Sequence, residues 1–337
     1  LAIESGKYFV LLGPSGGGKT TLLRLIGGFI QPTKGKIFLN QNDVSILPPN
    51  QRPTSMVFQG FALFPHMNVE KNVSYGLRLR KFSSNDINTK VGEMLEMVGL
   101  KGLEHRMPHE LSGGQQQRAQ LARSLVLQPD ILLLDEPLAA LDAKLHKNMC
   151  IELKRLQEKV NITFIHVTHN QEEAMTIADD LAIIAGGELI ETGATIDLYK
   201  NPIRRFTADF LGQNNIFDGV VSSVNEGNVT VDLGYASIDL NDRGFSVSVG
   251  DNVSVSVRSE SLKINKNKFD DKLFQCLSAK FIDKVFLGLS TSNILALPNG
   301  QEILSRHISD TEIESSVDKH SNIFVGWLKE DGQLHVR

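Results

Sequence analysis

Gly13-Pro14-Ser15-Gly16-Gly17-Gly18-Lys19-Thr20 is the stretch whose reading decides the fold. It follows the apolar run Tyr8-Phe9-Val10-Leu11-Leu12 and precedes a helical pattern that opens at Thr21. Strand, glycine-rich loop and helix in that order fit G-x-x-x-x-G-K-[ST], a phosphate cradle. The glycines let successive backbone N–H groups turn inward toward a phosphate, and the following helix adds roughly half a positive charge at its N-terminus. In this motif Lys19 reaches the β- and γ-phosphates and Thr20 ligates Mg²⁺, with Thr21 beside them on the first turn. An α/β domain built on a parallel sheet is the expectation.

Working outward, Leu22, Leu23, Leu25, Ile26 and Phe29 form one helix face, closed by Gly27-Gly28 and Pro32. Lys36–Leu39 and Thr54–Gln59 read as strands, which puts Gln59 at a strand end, where loops carry function. From about His66 to Gln128 the spacing is helical, with one helix over 69–79 and another capped by Ser84 or Asp86. This is a helical insert, and it ends in Leu111-Ser112-Gly113-Gly114-Gln115 at the head of a further helix. Ile131-Leu132-Leu133-Leu134 then runs into Asp135-Glu136, the pattern of a strand buried on both faces with acids at its C-terminal end. A helix begins at Asp142, and a second buried strand, Ile162–Thr168, ends at His169. A short helix over 171–179, a hairpin through Gly186-Gly187 and helices over 195–211 follow.

Near Gly212 the character changes to short valine-rich alternating runs. They surround Asn225-Glu226-Gly227-Asn228 and Gly250-Asp251 and continue to an expected hairpin at Asp331-Gly332. That pattern predicts a small β-barrel or sandwich over 213–337, after an α/β domain over 1–212.

The chain's 337 residues, 41% of them hydrophobic, suffice for two or three folded domains. A net charge of −4 argues against a general nucleic-acid binder, and no nucleic-acid partner is expected. Cys150 and Cys276 lack metal-ligand spacing and read as structural thiols. No apolar run approaches the roughly 18 residues of a membrane helix. Because Leu1 already enters a strand-like segment, N-terminal strands are expected to be missing from this sequence.

The phosphate loop, Gln59, Leu111–Gln115, Asp135-Glu136 and His169, in this order, resemble the ATP-binding cassette (ABC) transporter ATPases from Leu1 to about Phe217. The resemblance implies ATP and Mg²⁺ as ligands. Gly13, Pro14, Ser15, Gly16, Gly17, Gly18, Lys19, Thr20 and Thr21 would hold the phosphates. Ser112, Gly113, Gly114 and Gln115 would bind the nucleotide held by a second copy, in a head-to-tail homodimer, with Asp142 at the seam. Thr20, Gln59 and Asp135 would serve the metal, Glu136 would act as base, and His169 would bridge the γ-phosphate and that acid, with Gln59 sensing metal and water. Each has a plainer reading. Ser112 with Gln115 spells a capping box, Asp142 an N-cap, and His66, His105, His109, His146 and His166 ordinary polar residues.

Val257-Arg258-Ser259-Glu260 resembles the V-R-P-E of the TOBE (transport-associated OB) domain of importer ATPases, with Ser259 for proline. Pro49–Arg52, Val57–Met67, Arg106–Leu111 and Asp209–Phe217 are most similar to spermidine/putrescine importers, and much of this is shared with iron(III), sulfate or thiosulfate and sugar importers. A subunit on the cytoplasmic face of the membrane is implied, docked on integral permease subunits and served indirectly by a solute-binding protein. A soluble ABC regulator of repair or translation and a phosphate-loop kinase are the competing classes.

Overall fold

The computed structural model describes residues 1–60, 62–139, 141–225, 227–308 and 318–336. Its contacts divide the chain into two compact units, Leu1–Thr195 and Ile196–Arg337. Residues 196–212, expected to close the first domain, fall within the second unit.

In the first unit the order is β1 (Tyr8–Leu12), α1 (Lys19–Gly27), β2 (Phe38–Leu39), β3 (Asn42–Asp43), β4 (Thr54–Val57), α2 (Val69–Leu79), α3 (Ser84–Met97) and α4 (Gly113–Leu125). Then come β5 (Ile131–Asp135), α5 (Ala143–Val160), β6 (Thr163–Thr168), α6 (Gln171–Ile177), β7 (Asp180–Ala185) and β8 (Glu188–Ala194). The sheet runs β4-β5-β6-β1-β7-β8. All its pairings are parallel except β7 with β8, the hairpin at Gly186-Gly187. Leu132, Leu133 and Leu134 are fully buried, as expected of a strand covered on both faces. Each such leucine contributes about 1.5–3 kcal/mol of burial.

The expected strand at 36–39 shrinks to the two-residue β2, which pairs only with β3 and stays outside the main sheet. The insert between β4 and β5 is helical as expected. Ser83, rather than Ser84 or Asp86, caps α3, its Oγ accepting from Asp86 N at 3.2 Å. A Ser-Ser pair leaves the start of a helix ambiguous by one residue, and the chain uses the first serine. No helix among the described residues is long and apolar enough to cross a membrane.

The second unit opens with α7 (Thr195–Lys200, whose first residue closes the first unit) and α8 (Arg205–Phe210). It continues with β9 (Asn214–Asn225), β10 (Asn228–Asp232), β11 (Ser237–Asn241), β12 (Asn252–Arg258), β13 (Lys263–Asn265), β14 (Phe274–Phe286), β15 (Ser290–Ala296), β16 (Glu302–Ile308), β17 (Asn322–Leu328) and β18 (Gln333–Val336). These form two antiparallel sheets, β11-β10-β9-β12-β18 and β13-β17-β14-β15-β16, around one shared core. Phe217 of β9 stacks on Trp327 of β17 at 5.6 Å, which ties the sheets together. β9 and β10 pair across the turn at 225–228, of which Glu226 lies outside the described residues.

Asp331-Gly332 does not make a hairpin. β17 and β18 belong to different sheets, and Gly332 has an ordinary φ of −75°. A Cβ there would lie 2.5 Å from Leu240 Cδ2, so the leucine side chain would have to shift to admit one. An Asp-Gly pair records that a side chain is unwelcome, not which strand comes next.

Cys150 is buried on α5 and Cys276 is half-buried on β14. Burial, reinforced by Glu173 and Glu172, pushes the Cys150 thiol up to about 12. At pH 8 only about one molecule in ten thousand carries the reactive thiolate. Native chain treated with iodoacetamide at that pH should therefore remain unmodified at Cys150 by mass spectrometry, and become modified there once denatured. Rapid labelling of native Cys150 would contradict this environment.

Candidate functional site

Four neighbouring parallel strands, β4, β5, β6 and β1, deliver their C-terminal ends to one edge of the sheet. In open α/β sheets this edge is where ligands bind. The residues just past those ends are Gln59, Glu136, His169 and the loop 13–18, so strand order alone brings together pieces scattered through the sequence.

The loop after β1 leaves no room for a Cβ at Gly13 or Gly17. A Cβ on Gly13 would fall 1.9 Å from Ile184 O, and Gly18, at φ +97°, occupies the left-handed region as the N-cap of α1. Gly18 offers α1 no side-chain acceptor, which leaves the first-turn N–H groups to be satisfied from outside the helix. Lys19 is only 5% exposed, and its Nζ donates to Gly13 O and Pro14 O, each at 2.9 Å. Burial lowers its pKa, against the opposing pull of Glu136 and Asp135. A buried ammonium inside a ring of inward-turned backbone fits a polyphosphate. Ser15 and Gly16 are exposed on the loop, and Thr21 is exposed on α1.

Thr20 Oγ1 donates to Asp135 Oδ1 at 3.0 Å, joining α1 to the end of β5. Asp135 is 6% exposed. At Glu136 the backbone turns left-handed, φ +43°, while its N–H donates to Val167 O at 3.1 Å. A non-glycine residue held there costs of order 1–3 kcal/mol, strain that collects at functional sites. The turn aims the Glu136 carboxylate between two partners. Gln59 Nε2 donates to Oε2 at 3.2 Å, and His169 Nδ1 lies 3.2 Å from Oε1. A hydroxyl, two carboxylates and an amide thus converge as hard donors. Among the described residues no three His, Cys, Asp or Glu could hold a metal by themselves. A cation at this edge would take further oxygens from phosphate and water.

The remaining candidates stand apart. Ser112 and Gln115 form the reciprocal capping box of α4, with Gln115 Oε1 accepting from Ser112 N at 2.9 Å and Ser112 Oγ accepting from Gln115 N at 3.4 Å. Ser112 is exposed, Gly113 is half-buried, and buried Gly114 is packed so closely that a Cβ would meet Leu145 of α5 at 3.3 Å. None of these four is hydrogen-bonded to residues 13–20 among the described residues. Asp142 caps α5, its Oδ1 accepting from Leu145 N at 3.0 Å. Its neighbour Ala140 lies outside the described residues, as does Phe61 in the stretch after Gln59. α4 also reaches the Gln59 strand end, because Gln120 Nε2 donates to Phe58 O at 3.2 Å.

Glu136, Leu141, His146, Thr168, His169 and Glu173 share the wall of a cavity of about 520 Å³. Glu173 went unnoticed in the sequence. The signal was there, since it lies four residues from Ile177 and beside Ala174 on the buried side of α6. A glutamate on an apolar face needs a partner.

The chain is similar to known proteins of one family. The ABC transporter family model matches residues 1–139. The spermidine/putrescine import ATP-binding protein PotA of Fusobacterium nucleatum is 40% identical over 346 aligned positions, covering 99% of this chain and 91% of that protein. Its counterpart of the same name in Roseobacter denitrificans is 44% identical over 307 positions, covering 91% and 84%. Among solved structures, CbiO1 from Clostridium perfringens, part of the ABC transporter complex CbiONQ, superposes with a TM-score of 0.56 at 28% identity, over 59% of this chain and 81% of that one.

Proposed function

The chain belongs to the ABC transporter ATP-binding family, and from that premise we propose that it is the ATPase subunit of an importer for polyamines of the spermidine/putrescine kind. The carrying observation is that relatives named for spermidine/putrescine import match nearly the whole chain, β-rich unit included. On this reading the β-rich part of the second unit, residues 213–337, is a TOBE domain.

The phosphates of ATP are held by the backbone of Gly13–Gly18 and by Lys19, whose Nζ exchanges its two loop carbonyls for phosphate oxygens. Thr20, Asp135 and Gln59 would hold Mg²⁺, which when bound would offset the negative charge of the phosphates. Glu136 takes a proton from the attacking water. Its position between Gln59 and His169 supports this role, because both partners orient the carboxylate. His169 spans from Glu136 toward the γ-phosphate.

Ser112–Gln115 lie apart from their own phosphate loop, which supports a site completed by a second copy in a head-to-tail homodimer, with Asp142 at the seam. Closure on ATP and opening after hydrolysis would drive alternating access in integral permease subunits, with the chain peripheral on the cytoplasmic face and a solute-binding protein acting through the permease.

The test is ATP hydrolysis by the transporter reconstituted in proteoliposomes with its binding protein. Spermidine or putrescine should stimulate it severalfold. Stimulation by iron(III), sulfate or maltose instead would overturn the polyamine assignment, and a chain that does not co-purify with a permease would overturn the importer reading.

A further inference from the structure

Beneath the turn that carries His169 lies a buried carboxylate with no part in the chemistry above. Glu173 is 4% exposed, with a polar neighbour at each of its oxygens. Oε2 accepts from Thr168 Oγ1 at 2.7 Å and lies 3.3 Å from His146 Nε2. Oε1 lies 2.9 Å from Nε2 of His166, a fully buried residue of β6 whose Nδ1 is 2.9 Å from the Tyr8 hydroxyl on β1. Thr168 Oγ1 in turn accepts from Asn170 N at 3.0 Å, and Asn170 Oδ1 accepts from Glu173 N at 3.1 Å. His169 is thereby flanked on each side by a residue locked to Glu173.

A carboxylate so far from water has to be compensated or it disrupts its surroundings. Burial pushes the Glu173 carboxyl up, but His166, Thr168 and His146 together outweigh burial and hold it below the ordinary glutamate range. It therefore stays ionised at neutral pH. The network reaches four elements, β1, β6, α5 and α6. His146 lies in the first turn of α5, the helix that Asp142 caps, and its backbone N–H donates to Asp142 O at 2.8 Å.

We infer that Glu173 is a positioning residue for ATP hydrolysis, setting the turn 168–170 so that the exposed His169 ring meets Glu136. The inference rests on the reading of His169 given above. The partners of Glu173 are Thr168, His166 and His146, and it is not hydrogen-bonded to Glu136 among the described residues, so its effect passes through the turn that carries His169. Bulk stabilisation alone would act independently of His169.

That difference sets the experiment, a double-mutant cycle on the full chain with Glu173→Gln, His169→Ala and the double variant, reading kcat, KM and nucleotide affinity by titration. Glu173→Gln keeps the side chain's size and removes the charge that gathers His166 and His146. It should lower kcat by about ten- to a hundredfold, the scale of losing a near-attack geometry, with KM and affinity unchanged within about twofold. In the His169→Ala background it should cost nothing further. Loss of the same factor in both backgrounds would overturn the inference, since independent effects add. If Glu173→Gln does not fold, Thr168→Val removes the hydroxyl linking Glu173 to Asn170, and the same non-additivity with His169→Ala is expected. A His169→Ala chain at the parent rate would instead sink the reading of His169 itself, a result distinct from an additive cycle.

Discussion

Glu136→Gln should reduce ATP turnover by about 10² to 10⁴, the typical contribution of a positioned general base, while nucleotide affinity stays at the parent value. The amide keeps the size of the side chain and can still contact Gln59 and His169, which lie 3.2 Å from the carboxylate on either side. What it loses is the capacity to accept a proton. Because the phosphates are held by Lys19 and the loop 13–18, binding should be spared. The check is single-turnover hydrolysis beside equilibrium titration with ATP. A variant that hydrolyses at the parent rate would remove Glu136 from the chemistry. Equal losses of affinity and rate would show that the substitution disturbed the left-handed turn at 136 and not the proton transfer alone.

Lys19→Ala and Ser112→Arg should each nearly abolish hydrolysis, for different reasons, and mixing the two inactive proteins should restore it. Removing the Lys19 ammonium deletes charge-assisted hydrogen bonds worth about 1.5–3 kcal/mol each, so affinity should fall by an order of magnitude or more. An arginine at exposed Ser112 leaves the chain's own phosphate loop untouched but places bulk where a partner's nucleotide would dock. In a head-to-tail dimer of one copy of each, one site carries both defects and the other carries neither. Random pairing of equal amounts makes about half of the dimers mixed, so about a quarter of all sites should be intact. Hydrolysis by the mixture well above that of either variant alone is the expected result. A mixture no better than its components would argue that each chain completes its own site.

Local chemistry made much of this protein legible before any coordinates. The phosphate loop announces itself because its glycines, lysine and threonine are contiguous and each answers a short-range need, as Gly18 does at φ +97°. The capping box of Ser112 and Gln115 spans four residues, and it formed. The all-apolar run 131–134 implied a strand covered on both faces, and Leu132, Leu133 and Leu134 are buried, with Ile131 half-buried at its start. Harder to read were features whose partners lie far along the chain. The Asp331-Gly332 pair looked like a hairpin, yet the next strand joins the other sheet because β12 offers the edge that β18 takes. Glu173 stands beside Glu172 on a short helix, and only packing against β6 and α5 shows it to be the buried one.

By itself the sequence determined the inventory: a phosphate cradle, an acid pair after a buried strand, a signature turn, a lone histidine after a second buried strand, and a β-rich tail. Glycine spacing, apolar periodicity and caps act over a few residues, and a chain carries that information in linear order. Tertiary structure alone decided the meeting of those parts. The strand order β4-β5-β6-β1 brings Gln59 and His169, 77 and 33 residues from Glu136, to opposite oxygens of one carboxylate. It also buries Glu173 against two histidines. Such contacts depend on which strand lies beside which, a choice made by the packing of the whole sheet.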